Sequence, residues 1–298
     1  MWRIKYDMAT PGVKTLIRDR FYSVSRQDTP VGPRIVAIAR RDTADGIGGV
    51  ADLDVVRVTN EADAITAFGD GSDAHRAYLE LVLAGATRIY IVPLPSDTSW
   101  NHTTAAVTSS SYGGSVFDAA FIAAESAIPD IIIPWGRGGH PNDWESPATP
   151  DNDAAYGFYA DNSATVSTNW AYKVGAKVKD IAENINPCIA VMGVKPYYSE
   201  VEAMTPGQVN THLALSNLPN RDSSDLFKEV GPYVTIVAAE IKPVNYVSGT
   251  TEFGYSNGAA SLAATMSLHP SYSSVVNKPL YNVDSIRYAP TEHNNLLL

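Results

Sequence analysis

One serine of the sequence lies in a pattern that is typical of hydrolase nucleophiles. Residues 254–258 read Gly-Tyr-Ser-Asn-Gly, which matches the G-x-S-x-G nucleophile elbow, and Asp284 and His293 follow Ser256 in the order of an acid and a base. In such a triad the histidine accepts the serine proton and the carboxylate orients the histidine. The elbow needs a buried strand that runs directly into its first glycine, whereas residues 248–253 are polar. The alternative interpretation is a turn ahead of an Ala-rich helix.

A glycine-rich stretch at residues 46–51 resembles the dinucleotide-binding fingerprint. It reads Gly-Ile-Gly-Gly-Val-Ala and follows a predicted strand. The phosphate cradle of that fold lies at a helix N-terminus, but residues 53–58 predict a second strand instead. We therefore expect a loop between two strands here. The sequence also contains no Walker-A motif with its lysine.

The remaining polar clusters favour neither a metal site nor a cofactor site. None of the six histidines pairs with another histidine or with cysteine at the spacing of metal ligands. A long loop carries Arg137, His140 and Asp143, which together could position an anion. We favour the alternative, a surface loop or a contact between subunits, and we expect no bound cofactor.

Four of the five tryptophans lie outside the predicted helices and strands. These are Trp2, Trp100, Trp135 and Trp144. Exposed tryptophan is enriched at the energetic centres of protein interfaces, so these positions could mark contacts with partners. The alternative is local packing beneath each loop.

The charge distribution separates a basic N-terminal segment from an acidic remainder. The net charge is −10, although residues 1–30 contain six lysines or arginines and only three aspartates. Because an acidic body repels a phosphate backbone, we expect no direct contact with nucleic acid. The lone cysteine, Cys188, lies in an apolar run and predicts a buried thiol. With no secretory signal and no apolar stretch near the roughly 20 residues of a membrane span, we expect a soluble, cytoplasmically made protein.

Strands alternate with helices along most of the chain, which predicts an α/β fold. We expect a mixed sheet flanked by helices, with an extended N-terminal arm over residues 1–30 and a body over residues 31–298 that has a candidate subdivision near residues 95–115. The polar residues 95–114 predict a surface loop. Strands are predicted at residues 34–39, 53–58, 88–93, 130–133, 188–194, 233–237 and 281–288, and helices at residues 61–68, 74–84, 115–127, 164–184 and 257–268.

Four segments, taken in order, resemble the contractile-tail sheath proteins of phage-like particles. Their sequence features are Thr10-Pro11-Gly12-Val13, the Ala-containing strand at residues 35–38, the run at residues 58–69 that ends in Phe68-Gly69, and the helix and strand at residues 78–94 with Gly85 and Arg88. A weaker match covers residues 257–264 and 277–282. The arginine that the family usually carries late in the fourth segment is absent here, and sheath subunits usually continue beyond the point where this sequence ends.

The resemblance implies a structural subunit and not an enzyme. Sheath subunits assemble with copies of themselves into a helical tube around an inner tail tube, and rearranged subunit contacts drive contraction. The implied partners are further copies, the tail tube protein, and baseplate and tail terminator proteins. The implied location is the virion tail, assembled in the host cytoplasm. Extended arms of the family add strands to neighbouring subunits. The arm residues that we expect between subunits are Pro11, Gly12, Val13, Arg18, Arg20, Phe21 and Val24. The alternative function is an α/β hydrolase that uses Ser256.

Overall fold

The computed structural model describes ten ranges of the chain. They are residues 32–101, 104–136, 157–160, 166–193, 225–237, 240–243, 247–248, 251–252, 256–268 and 283–287. All of these residues except Gly32 belong to one compact unit, Pro33–Leu298. Residues 21–24, whose alternating pattern predicts a strand, lie outside these ranges.

A six-stranded mixed sheet forms the centre of this unit. Its strand order is β2-β3-β1-β6-β7-β8. Its strands are β1 (Ile35–Arg40), β2 (Val56–Val58), β3 (Ile89–Leu94), β6 (Ile131–Pro134), β7 (Ile189–Gly193) and β8 (Val234–Val237). Five of them are parallel, while β2 pairs antiparallel with β3 at one edge. The expected α/β class with a mixed sheet is confirmed.

Helices cover both faces of the sheet. The helices are α1 (Glu61–Phe68), α2 (Asp73–Leu83), α3 (Val116–Ser126), α4 (Trp170–Asn184), α5 (Asp225–Val230) and α6 (Ala259–Leu268). Successive side chains of a strand point to opposite faces. In β1, Ile35 and Ala37 pack with α1, α2 and α6, whereas Val36 and Ile38 pack with α3 and α4. This explains why β1 is apolar on both faces, as parallel strands between two helix layers are.

Polar side chains cap the starts of four helices. Asn60 Oδ1 accepts from the backbone N–H of Asp63 at 2.9 Å, and Ser72 Oγ accepts from that of His75 at 3.1 Å. Ser115 and Asn169 cap α3 and α4 in the same way. Each cap satisfies one of the N–H groups that a helix start leaves without an intrahelical partner. The predicted starts of α1, α2 and α3 agree with the structure within one residue, whereas α4 begins later than predicted.

The expectation of a polar loop over residues 95–114 was wrong. This segment contains a short hairpin of β4 (Ser99–Asn101) and β5 (Ala106–Thr108). Trp100 is buried on it, with its ring edge-on to Phe158 at a centroid distance of 5.8 Å. Strands of three residues are too short to give an alternation signal within a Ser/Thr-rich stretch.

Several predicted boundaries also differ from the structure. β3 continues through Pro93 to Leu94, because β2 pairs with β3 only as far as Ile91 and no neighbour there needs the missing N–H. β2 is shorter than expected, and Leu53 adopts a left-handed φ of 63° ahead of it. α4 begins only at Trp170, after a 3₁₀ turn at Val166–Thr168.

The C-terminal strand of the described residues lies outside the main sheet. β12 (Val283–Arg287) pairs antiparallel with β9 (Glu240–Pro243), and β10 (Val247–Ser248) pairs with β11 (Thr251–Glu252) in a second small hairpin. The alternating sequence around residues 283–287 predicts a strand but does not indicate which partner it pairs with.

Candidate functional site

Ser256 lies in a buried turn directly ahead of α6. Its backbone N–H and C=O pair with those of Ile241 at 2.8 and 3.0 Å, and only 2 % of its surface is exposed. Its Oγ accepts from the N–H of Gly258 at 3.3 Å, and Asn257 Oδ1 accepts from that of Ala259 at 3.2 Å. Both side chains therefore accept hydrogen bonds from backbone N–H groups at the start of α6.

The environment of Ser256 differs from that of a nucleophile elbow. The strand that precedes it, β11, belongs to a two-stranded hairpin and not to the main sheet. Asp284 lies in β12, and His293 lies outside the described residues. Within the described ranges, the acidic side chain that meets the Ser256 hydroxyl is Glu80 of α2.

Glu80, Trp135 and Ser256 form a buried polar centre between three elements. Trp135 Nε1 follows β6 and donates to Glu80 Oε2 at 3.2 Å. Burial raises the pKa of Glu80 from 4.5 to about 7, while hydrogen bonds from Trp135 and Ser256 and the charge of Arg76 act in the lowering direction. The centre therefore joins α2, the end of β6 and the start of α6. Sequence reasoning missed Glu80, whose only signal was one acidic residue within the apolar run at residues 78–83.

The glycine-rich loop at residues 46–51 closes around a buried arginine. Arg41 is fully buried and donates through Nη1 to the carbonyl of Val50 at 2.8 Å and through Nη2 to Asp45 at 3.1 Å. Its Nε lies 2.7 Å from a carboxylate oxygen of Asp52. The segment between these acidic residues contains a short 3₁₀ helix, Ile47–Gly49, and no α-helix follows it before β2. The loop therefore encloses a guanidinium and lacks the helix N-terminus that a dinucleotide phosphate requires.

A second arginine and a histidine occupy the same edge of the sheet. Arg40 Nε lies 3.6 Å from an oxygen of Asp73, and its guanidinium stands 5.5 Å from the centre of the Trp100 ring. His75 is buried, and its Nδ1 accepts from the backbone N–H of Gly71 at 3.0 Å. Burial lowers the pKa of His75, with the nearby charges of Asp70 and Glu61 opposing that shift. Arg40 and His75 therefore each lie near a carboxylate, since His75 Nε2 is 3.7 Å from an oxygen of Glu61.

A surface groove of about 780 Å³ lies between β5, the start of α3 and the first half of α4. Two lysines line it. Lys177 Nζ pairs with a carboxylate oxygen of Asp118 at 2.7 Å, and Lys173 Nζ donates to the carbonyl of Ala105 at 2.5 Å. Because both ammonium groups already hold partners, the groove offers no free cationic pair for an anion.

The motif residues of the family resemblance lie at the ends of helices and strands. Phe68 is fully buried at the end of α1, and Gly69 follows with a φ of 91°. Gly85, with a φ of 95°, lies between α2 and β3. The carbonyl of Arg88 accepts from the N–H of Ile35 at 3.0 Å. These residues connect β1, α1, α2 and β3 into one continuous unit, in which Gly85 and Arg88 lie where β3 begins and Phe68 and Gly69 lie near the end of β1.

The remaining candidate residues divide into buried ones and ones outside the described ranges. Trp100 and Trp135 are each 2 % exposed, which supports local packing for these two. The arm residues Pro11, Gly12, Val13, Arg18, Arg20, Phe21 and Val24 lie outside the described ranges, as do Trp2, Trp144, Arg137, His140 and Asp143. Cys188 is buried as expected, and burial raises the pKa of its thiol to about 11.

The described ranges offer neither a metal site nor a membrane-spanning helix. They contain no group of three or more His, Cys, Asp or Glu side chains that could hold a metal ion. No helix within them combines the length and the apolar character needed to cross a bilayer. Compared with known proteins, the chain matches no protein-family model and has no significant match among curated proteins.

Proposed function

We propose that the chain is a structural subunit of a contractile tail sheath, which assembles with copies of itself into a helical tube around an inner tail tube. The observation that carries the proposal is the ordered set of four sheath-like segments over residues 10–94. The second, third and fourth of these segments fold into adjacent elements, β1, α1, α2 and β3. Short motifs that share both an order and a structural unit are stronger support than any one of them alone.

The buried polar groups of the body are consistent with a structural role. Three buried ionisable side chains in the described ranges are the best candidates for chemistry: Glu80, Arg41 and His75. Each of them already makes a hydrogen bond inside the fold. Ser256 is buried at a helix start, so the hydrolase alternative gains no support from its position. Under the proposal, the basic arm at residues 1–30 crosses to a neighbouring copy, and the contact repeats head to tail to give a tube.

Negative-stain electron microscopy of the purified chain at high concentration tests the proposal. We expect hollow tubes or stacked rings from the full chain and none from a variant that lacks residues 1–28. Ser256→Ala is the matched control, because it removes the candidate nucleophile and should leave the tubes intact. Uniform monomers from the full chain, together with esterase activity that Ser256→Ala abolishes, would refute the sheath proposal in favour of the hydrolase.

A further inference from the structure

Most of the exposed apolar side chains lie at one edge of the sheet, which we call the amino edge. It is the edge where the parallel strands begin and their preceding helices end. Eight large apolar side chains are exposed within the described ranges, and six of them lie at the amino edge. The six are Val82, Leu83, Ile122, Ile128, Ile185 and Leu268. Single exposed apolar residues are common, but their concentration at one edge is typical of an interaction surface.

Three isoleucines of the α3–α4 layer form what we call the isoleucine patch. Ile122 is 67 % exposed, Ile128 is 47 % exposed and Ile185 is 51 % exposed. Ile122 lies in the second half of α3, and Ile128 follows the same helix. The connection after α4 contacts the connection after α3, since the side chain of Asn186 donates to the carbonyl of Pro129 at 2.8 Å. The residues that follow α3 and α4, among them Ile128 and Ile185, therefore lie side by side.

The backbone of Ile128 adds a second, independent observation. Its φ is 51°, in the left-handed region that a β-branched side chain rarely adopts. Asparagine or glycine would relieve this strain, and a polar side chain would suit the exposure. Ile128 therefore lowers the stability of the isolated body in two ways, through its exposed apolar surface and through its strained backbone. Backbone strain of this kind clusters at functional sites.

The charges around the isoleucine patch are mainly acidic. Glu125 lies near the end of α3, and Asp180 and Glu183 lie near the end of α4. Neither helix has a basic residue in its last turn, so the partial negative charge of each helix end adds to these carboxylates. Two cations lie nearby, and both are engaged. Arg34 donates to the carbonyls of Ala127 and Ile128, and Lys179 pairs with Glu229.

The N-terminal segment of the chain has the complementary chemistry. Residues 1–31 contain six lysines or arginines against three aspartates, interspersed with large apolar side chains. The segment joins β1 through Arg34, the residue that hydrogen-bonds Ile128. Pro30 and Pro33 each bias the residue before them towards extended backbone. At about 3.3 Å per residue, 31 extended residues reach roughly 100 Å, enough to contact another copy.

We propose that the isoleucine patch, with the carboxylates around it, receives the N-terminal segment of a second copy of this chain. This inference rests on the proposed function, in which the arm crosses between subunits, and it assigns the surface on which the arm docks. Apolar residues of the arm cover Ile122, Ile128 and Ile185, and its basic residues face Glu125, Asp180 and Glu183.

Disulfide trapping between two variants of the full chain, each with one introduced cysteine, tests the inference. The native Cys188 is buried with a raised pKa, so its thiol contributes little background. One variant carries Ile185→Cys, and the other carries a mass tag and Val13→Cys, Phe21→Cys or Val24→Cys. The matched control replaces the first variant with Ile47→Cys, a site that is 48 % exposed and lies in the loop after β1.

We expect at least one arm position to form the mixed dimer on the order of a hundredfold faster with Ile185→Cys than with Ile47→Cys, because docking raises the local thiol concentration from about 10 μM to about 1 mM. Equal rates at the two sites for all three arm positions would overturn the inference. A double variant with Val24→Cys and Ile185→Cys on one chain that closes only within the monomer would also overturn it, since the arm would then dock on its own body.

Electron microscopy of the same samples separates this inference from the proposed function. Tubes that require residues 1–28 but show no preference for Ile185→Cys would overturn only the docking surface. A strong preference for Ile185→Cys without any tubes would support the docking surface and remove the sheath proposal. Sedimentation gives a second measurement. The double variant Ile122→Ser with Ile185→Ser should lower the self-association constant at least tenfold, whereas Ile47→Ser should leave it unchanged. An unchanged constant for the double variant would contradict the inference.

Discussion

The buried carboxyl of Glu80 makes the stability of the body depend on pH, and Glu80→Gln should remove that dependence. Glutamine has nearly the same shape as a protonated glutamate, and its amide oxygen can still accept the hydrogen bond that Trp135 Nε1 donates at 3.2 Å. It carries no ionisable proton. The variant therefore isolates the free energy of ionising Glu80 in its buried position between α2, β6 and α6.

The size and sign of the effect follow from the raised pKa of Glu80. Burial raises this pKa from 4.5 to about 7, so the folded state binds the proton more tightly than the unfolded chain. The resulting stabilisation is fully present below pH 4.5 and is lost as the pH rises to about 7. Each pKa unit corresponds to about 1.4 kcal/mol, which gives roughly 3 kcal/mol over this window. Compared with the natural chain, Glu80→Gln should gain about 3 kcal/mol between pH 4.5 and pH 8.

Urea unfolding at low protein concentration, followed by circular dichroism at several pH values, measures this difference. Taking the difference between the two chains cancels the titration of all other groups. Ser256→Ala is an informative companion, because it keeps Glu80 and removes a hydrogen bond that acts to lower the Glu80 pKa. The decline in stability should therefore extend to a higher pH in that variant, since only the folded-state pKa of Glu80 rises. Parallel curves for the natural chain and Glu80→Gln across this pH range would refute the reasoning.

Three further predictions concern backbone strain and packing. Ile128→Gly should raise the stability of the isolated body by up to about 1 kcal/mol, because relief of the left-handed φ of 51° outweighs the added unfolded-state entropy of glycine; a lower melting temperature would contradict this. Gly85→Ala should cost about 1–2 kcal/mol in urea unfolding, because its φ of 95° disfavours a side chain. A Cβ there would lie 3.0 Å from Leu268 Cδ1, an exposed and movable atom, so adding Leu268→Ala should not restore stability. Trp100→Ala should cost about 3–5 kcal/mol, because it empties a buried site against Phe158; a loss below about 1 kcal/mol would show that the hairpin carries little of the core.

Local sequence patterns located most helices and the central strands correctly. The apolar run at residues 34–39 indicated β1, and Asn60 and Gly69 marked both ends of α1. These signals are reliable because each depends on contacts within a few residues: a cap bonds an N–H three positions away, and a glycine turns the chain at its own φ. The charge separation between residues 1–30 and the remainder is likewise a property of composition alone.

The tertiary structure alone decided which distant residues meet. The G-x-S-x-G pattern at residues 254–258 is identical in a catalytic elbow and in a helix-capping turn, and only the pairing of Ser256 with Ile241 and its contact with Glu80 distinguish them here. Glu80 and Ser256 are far apart in sequence, so no local pattern could place them together. The strand order, the pairing of β12 with β9 and the contact between the connections after α3 and α4 depend in the same way on interactions between distant segments. A sequence encodes such contacts only through the packing of the whole core, which is why local patterns left them undetermined.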